Sequence, residues 1–236
     1  MQIKTFKTRV FKEREDLIKF ILDYVKKIPE KSVLVITSKI VALSEGRTKV
    51  IKDQKEKIEI IKQESDFMFR TKYTWLTIKD GMVMASAGVD ESNAKGKLIL
   101  LPKDSFKSAE YIRKELKKHF KIKNLGILIT DSRIFPLRAG IVGVALGYSG
   151  FKGVRDYRGK KDIFGRILKF SRTDVADSLA TAAVLPMGEG DERQPIALVT
   201  DSNVEFRDKV DKKELKINIK EDLYMPFFQG FLRKNN

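Results

Sequence analysis

Asp131 and Ser132 follow directly on the apolar run Leu125–Thr130 in LGILITDS, and their types suit chemistry on charged oxygens. A carboxylate and a hydroxyl at the carboxyl end of a buried strand are held rigidly and face a crevice, where open sheets place ligands. The block Leu125–Val199 is rich in glycine and apolar residues, yet it carries Asp131, Asp156, Asp162, Asp174 and Asp177. Acidic groups gathered in the least polar part of a basic chain point to a metal or phosphate-handling site. Upstream, Thr37, Ser38 and Lys39 come just after the apolar start of SVLVITSKIV. Hydroxyls and an ammonium beyond a strand could grip a phosphate, or could simply turn into solvent. Asp90 and Asn93, in AGVDESN, fall in a loop between two apolar strands, where both residue types also cap turns.

Other chemistries find less support. His119 is the one histidine and lies among lysines on a helix, so it reads as solvated and a Ser–His–Asp mechanism is disfavoured. No cysteine is present, which excludes disulfides, thiolate zinc sites and a cysteine nucleophile and suits a reducing cytosol. Gly140, Gly143, Gly147, Gly150 and Gly153 recur at close spacing, but neither GxxxxGKS/T nor GxGxxG occurs. Tight turns and close backbone packing are the more economical use of these glycines.

The elements that must position these groups are readable in outline. Gln2–Val10 reads as an edge strand, and Leu17, Ile21, Tyr24, Val25 and Ile28 predict an amphipathic helix over Glu13–Lys27, stopped by Pro29. A buried strand opens at Ser32, Ser44–Arg47 is a turn, and Gln54–Arg70 reads as a heavily charged helix. Lys79–Gly81 predicts a turn before the strand Met82–Ala85, and Lys97–Leu101 a further strand. Ser108 is a helix cap ahead of Ala109, Ile112, Leu116 and Phe120. Thr173 is expected to cap a helix whose Val175, Leu179 and Ala182 face the core and which MGEG ends, before the strand Pro195–Thr200. The tail Asp201–Asn236 is expected to pack the aromatics of MPFFQGF on the main body.

With 236 residues and 42% hydrophobic content, the chain can bury a full core in one domain or two interwoven ones. The charged start MQIKTFKTRVFK does not suit a signal peptide, and the uncharged stretch Ala139–Phe151 is too short to span a bilayer. A cytoplasmic protein with no membrane partner is expected. Lys+Arg number 48 against Asp+Glu 32, a net charge of +16 that raises nucleic-acid binding as a possibility. The lysines are scattered without interleaved stacking aromatics, however, so a solvated surface is the better reading, or a field that draws in anionic small molecules.

Taken in order, AGVDESN, LITDS, RAGIVGVALGYSG, DYRGKKDIFGR, VAD and MGEG resemble the CofE-type γ-glutamyl ligases. These enzymes use GTP to add glutamate to the deazaflavin coenzyme factor 420, and related bacterial proteins are assigned to folate γ-glutamylation. The resemblance implies an α+β fold of two interlocked lobes, antiparallel-rich sheets flanked by helices, forming one ligase domain over residues 1–236 in a homodimer. It implies that Asp90, Asp131 and Ser132 bind a divalent metal, with Asp90 and Asp131 catalytic, and that Ser38, Lys39 and Asn93 contact the nucleotide, as does the loop Thr8–Phe11. Hard oxygen ligands without nearby histidine or cysteine suit magnesium or manganese on triphosphate oxygens, with GTP or ATP as co-substrate. L-glutamate and a folate-like or deazaflavin acceptor are the implied partners, joined through an acyl phosphate.

Two departures stand out. The family's SKAEGR reads here Ala42-Leu43-Ser44-Glu45-Gly46-Arg47, with Leu43 in place of a phosphate-contacting lysine. After Asp131, Ile134-Phe135 replaces the usual Gly-Arg pair, although Pro136, Arg138 and Gly140 remain. An apolar edge there could pack on a flat ring system, and Lys39, Arg133 and Arg138 could hold carboxylates, which favours a folate-type acceptor. A family member that binds nucleotide or folate without turnover is the second reading, and a nucleic-acid-binding protein the third. Asp131→Asn is expected to abolish ligation and weaken metal binding with the fold intact.

Overall fold

A computed structural model describes residues 1–94 and 96–228. The chain opens with β1 (Gln2–Phe6), α1 (Leu17–Tyr24), β2 (Ser32–Thr37), α2 (Ser38–Ser44) and the two-residue β3 (Thr48–Lys49). It continues through α3 (Gln54–Gln63), β4 (Phe67–Arg70), β5 (Trp75–Lys79), β6 (Met82–Ala85) and β7 (Leu98–Ile99). Then α4 (Ser105–Phe120) leads into β8 (Leu125–Arg133) and β9 (Val142–Ser149). The short β10 (Val154–Asp156) and β11 (Arg172–Asp174) precede α5 (Val175–Met187) and β12 (Ile196–Thr200). This is an α+β chain, as expected. Among the described residues no helix is long and apolar enough to cross a membrane.

The chain divides into two compact units, each assembled from two separate segments. One comprises Met1–Thr48 and Ile99–Glu214, the other Lys49–Leu98 and Leu215–Asn236. The first unit is built on a five-stranded sheet in the order β1-β12-β2-β8-β9. Only β2 and β8 run parallel; the other neighbours are antiparallel. The two parallel strands are the continuous apolar runs SVLVIT and LGILIT, and nearly every residue in them is buried, the pattern of strands covered on both faces. β1 stands at the edge and is half-buried, as its mixed sequence requires.

Both longer helices of this unit pack against β9, and glycine lets them in. A Cβ on Gly147 would lie 2.5 Å from the Ser105 backbone at the start of α4. A Cβ on Gly143 would lie 2.5 Å from the Ala180 carbonyl oxygen of α5. Close packing is therefore what these two glycines serve.

The second unit holds the antiparallel sheet β4-β5-β6 and α3. Here the helix expected over Gln54–Arg70 stops at Gln63, and Phe67–Arg70 is a strand paired with Trp75–Ile78. The aromatic and apolar run FMFR wins its sheet partners, which weak helical periodicity could not outweigh.

Several boundaries also differ from the sequence reading. The helix expected over Glu13–Lys27 spans only Leu17–Tyr24, capped by the Asp16 side chain on the Lys19 N–H. The fourth helix starts a turn before Ser108, because Asp104 accepts from the Lys107 N–H at 3.0 Å. Asp174, not Thr173, caps α5 by accepting from the Asp177 N–H at 2.9 Å, and the buried face is Ala176, Leu179, Ala180 and Ala183. A carboxylate at each N-cap satisfies an otherwise orphaned donor and favours the helix dipole. In the tail, Phe227 is exposed rather than packed away, and residues 229–236, including the end of MPFFQGF, lie outside the described residues.

Candidate functional site

The parallel pairing of β2 with β8 builds the site. Its register ends on Thr37 opposite Thr130, so the next residues, Ser38 and Asp131, emerge side by side. Ser38 is buried and donates its hydroxyl proton to Asp131 Oδ1 at 3.1 Å. A nucleotide contact and a metal ligand implied by the family resemblance are thus adjacent. Lys39 follows in the first turn of α2 and is half-buried.

The strand does not end at Thr130. It runs on through Asp131, Ser132 and Arg133, paired with Val144, Gly143 and Val142. An irregularity between Ile129 and Thr130 leaves Leu146 of β9 without a direct partner, and such a bulge re-aims the residues beyond it. Beyond it, Asp131 and Arg133 share one face of β8, and Ser132 takes the other. Arg133 is only 8% exposed; its Nη1 donates to Asp131 Oδ2 and, at 2.8 Å, to the Ser132 carbonyl oxygen. The Ser132 hydroxyl donates to Glu189 Oε1 at 2.6 Å.

Two further carboxyl groups stand nearby on α5. Asp177 accepts from the Ala145 N–H at 2.8 Å and feels the Arg133 charge. Burial raises its pKa, and burial together with the Asp177 charge pushes Asp174 up to about 6. Two carboxyl groups this close, both withdrawn from water, favour holding a proton between them.

Asp90 and Asn93 belong to the second unit. The chain approaches them through a backbone with positive φ at Ser86 and Ala87, 49° and 54°, an uncommon conformation for non-glycine residues. Thr77 steadies it by accepting from the Ala87 N–H at 2.8 Å and donating to the Met84 carbonyl oxygen. Asp90 accepts from the Ser92 N–H at 2.7 Å and from its hydroxyl at 2.8 Å, which is the turn chemistry open to an aspartate here. Asn93 is exposed at φ 56°.

In the first unit Ser38, Asp131 and Arg133 meet on one face of β8, Ser132 pairs with Glu189 on the other, and Glu189 and the contact of Arg133 with Asp131 were not among the expected site features. A charged residue at a strand end reads as solvated until the neighbouring strand and helix are known to cover it. Glu189 carried one signal, its place in the MGEG motif. Of the loop after β8, Ile134, Phe135 and Leu137 are exposed.

Asp131, with the Ser38 hydroxyl on it, offers hard oxygen donors of the kind a divalent cation takes, while Ser132 and Glu189 pair on the opposite face of β8. Among the described residues no group of three or more His, Cys, Asp or Glu is gathered as a ready metal cage. A site that takes one or two carboxylates and completes its shell with phosphate oxygens and water needs no such cage, and magnesium characteristically binds in that way. The residues therefore fit a divalent cation that arrives with a nucleotide.

The model of the F420-0:Gamma-glutamyl ligase family matches residues 5–201 of the chain. The chain belongs to this family. The coenzyme F420:L-glutamate ligase of Methanocaldococcus jannaschii is 38% identical over 199 residues, covering 82% of this chain and 76% of the relative. The enzyme of the same name from Methanococcus maripaludis is 34% identical over 215 residues, covering 82% and 86%. That from Archaeoglobus fulgidus is 32% identical over 213 residues, covering 83% and 85%. The match confirms the resemblance carried by the ordered motifs, and the protein is a ligase of the γ-glutamyl class.

Proposed function

We propose that this ligase uses a nucleoside triphosphate, GTP or ATP, and a divalent cation to join L-glutamate to a carboxylate-ended acceptor, foremost the deazaflavin coenzyme. The family match over residues 5–201 carries this reading, and the contact between Ser38 and Asp131 at the end of two parallel strands supports it. An oxygen of the acceptor carboxylate attacks the γ-phosphorus, the bond to the β–γ bridging oxygen breaks, and the nucleoside diphosphate leaves. The glutamate nitrogen then attacks the acyl carbon, inorganic phosphate departs with the bonding electrons, and the amine proton passes to solvent. Neither step needs a protein nucleophile; both need negative charge neutralised at fixed positions.

Ser38 and Lys39 are assigned to the triphosphate, a hydroxyl and an ammonium at the start of α2. Asp131 is assigned to magnesium or manganese, which when bound would neutralise charge on the phosphate oxygens, and Ser132 as a further ligand rests on family position. Asp90 as a metal ligand and Asn93 as a nucleotide contact rest on family position alone. We place the enzyme in the cytoplasm, which its cysteine-free composition suits.

A folate-type acceptor is the second reading, favoured by one observation: Ile134 and Phe135 present an exposed apolar edge directly after β8. Protein supplied with triphosphate, manganese and glutamate should release phosphate only when an acceptor is added. Elongation of the deazaflavin alone, beside mono-glutamyl folate at equal concentration, excludes the folate reading. Nucleotide binding without glutamate-dependent phosphate release from either acceptor overturns the ligase assignment for this chain.

A homodimer is part of the proposal. Between β10 and β11 a projecting loop exposes Ile163, Phe164, Ile167 and Phe170, more large apolar surface than a monomer usually leaves bare. The loop after β8 in the same unit bares Ile134, Phe135, Leu137 and Ile141. A two-fold axis uses every patch twice, so one copy's projecting loop can cover the other's second patch on both sides at once. Phe164→Glu should halve the mass seen in sedimentation equilibrium; an unchanged dimer mass rules out this surface.

A further inference from the structure

Arg133 sits where an incoming cation would have to bind. It is nearly buried, and its Nη1 is fixed to Asp131 Oδ2 and to the Ser132 carbonyl oxygen. The other oxygen of Asp131 accepts from Ser38 at 3.1 Å. Each carboxylate oxygen thus already has a donor, and one of these donors carries a full positive charge. The pairing follows from the strand itself, because residues two apart on β8 project to the same face.

We propose that Arg133 is an internal counter-ion that holds the place of the divalent cation at Asp131 and gives up the carboxylate when the cation arrives. The inference rests on the reading of Asp131 as a metal ligand. A dication bound about 2.0–2.1 Å from a carboxylate oxygen would stand against the guanidinium, and two positive centres at that separation repel strongly away from water. Binding therefore requires the guanidinium to move. Asp177 on α5, close enough to feel the Arg133 charge, offers the displaced group an anionic neighbour. A phosphate oxygen offers another, and the planar fork of arginine suits phosphate better than an ammonium does. Arg133 would then be a positioning residue that yields the Asp131 carboxylate as the cation binds. Its contact holds the Asp131 side chain in place, and it weakens binding of the cation alone.

Titration of the full chain with manganese, following free Mn²⁺ by electron paramagnetic resonance, tests this without any turnover. Arg133→Met should bind manganese at least tenfold more tightly than the wild type, Arg133→Lys should fall between, and Asp131→Asn should bind at least tenfold more weakly. The manganese-free Arg133→Met protein should melt at a lower temperature and recover the loss when manganese is added. If Arg133→Met does not melt cooperatively, Arg133→Gln takes its place in the same titration. Equal or weaker manganese binding on loss of the guanidinium, with Asp131→Asn still impaired, overturns the placeholder role and leaves the metal assignment standing. Wild-type manganese affinity in Asp131→Asn, or no manganese binding by any variant, overturns the metal assignment at Asp131 and the placeholder with it.

Discussion

Asp131 at the end of β8 and the Asp174–Asp177 pair at the start of α5 are carboxyl groups withdrawn from water by the same unit, yet they are kept there by opposite means. Asp131 has a guanidinium on one oxygen and a hydroxyl on the other. Asp174 and Asp177 have backbone N–H donors and each other, and burial with mutual repulsion pushes Asp174 up to about 6. On the proposed reading, the first group exchanges one cation for another. The second pair takes up a proton more readily than an exposed carboxylate and does structural work, capping a helix and tying it to β9. Carboxylate content alone does not mark a metal site; the partner that each carboxylate already has decides what it can accept.

The largest expected effect breaks the Asp131 side of this contrast. Asp131→Asn should lower turnover by about a hundredfold or more, because on the proposed reading the cation loses an anionic ligand. It also strands Arg133, so the variant should lose roughly 1–3 kcal/mol of stability, visible in urea denaturation. The sequence alone suggested an undisturbed fold here; the buried guanidinium changes that expectation. Full activity would remove Asp131 from the chemistry.

Next comes the spacer between the two carboxyl sites. Gly143 lies opposite Ser132 and holds α5 close, with no room for a Cβ at 2.5 Å from the Ala180 carbonyl oxygen. Gly143→Ala should cost about 2–3 kcal/mol by overpacking, read as a lower urea midpoint at unchanged slope.

Removing Asp177 separates its structural part from its electrostatic one. Asp177→Ala leaves the Ala145 N–H without its acceptor and should cost about 1–2 kcal/mol. It also removes the charge that raises Asp174, whose titration followed by NMR should move down in pH. A fixed Asp174 titration would mean that burial alone sets it.

The smallest effect concerns pH. A carboxyl group with a raised folded-state pKa favours the fold fully below its unfolded value near 4, and that contribution is lost as pH rises through about 6. Asp174→Asn cannot ionise and should keep the cap to the Asp177 N–H. At pH 8 it should be more stable than the wild type by roughly 1 kcal/mol after allowance for solvent screening, and the gain should vanish below pH 4. Parallel melts across that range decide it.

Much of this architecture could be read from runs of residue types. SVLVIT, LGILIT and IALVT declared their strands because buried central strands need continuous apolar runs. The place of Asp131 and Ser132 followed from where LGILIT stops. The pairing of Ser38 with Asp131 did not, since it depends on a parallel register between segments far apart in the chain. Arg133 was visible as a cation able to hold a carboxylate, but not as one already holding Asp131. Caps were misplaced at Ser108 and Thr173 because several residue types compete for an N-cap, and only the local backbone picks the winner. FMFR misled for a similar reason, gaining its strand from partners that follow it in the chain.

The sheet order β1-β12-β2-β8-β9 has a consequence for synthesis on the ribosome. β1 pairs with β12 alone, Gln2 opposite Thr200 and Phe6 opposite Ile196. At translation speeds of about 5–20 residues per second, the Gln2–Phe6 segment waits on the order of 10–40 s for its partner to be made. Until β8 is made β2 lacks both neighbours as well, and until β12 is made it keeps one edge unpaired, so its apolar run is the more hazardous of the two segments. The order in which this protein is made is therefore nearly the reverse of the order in which its first strand can be used. A nascent chain stalled before Leu125 should present SVLVIT, with neither neighbour yet made, to whatever chaperone meets it at the exit tunnel.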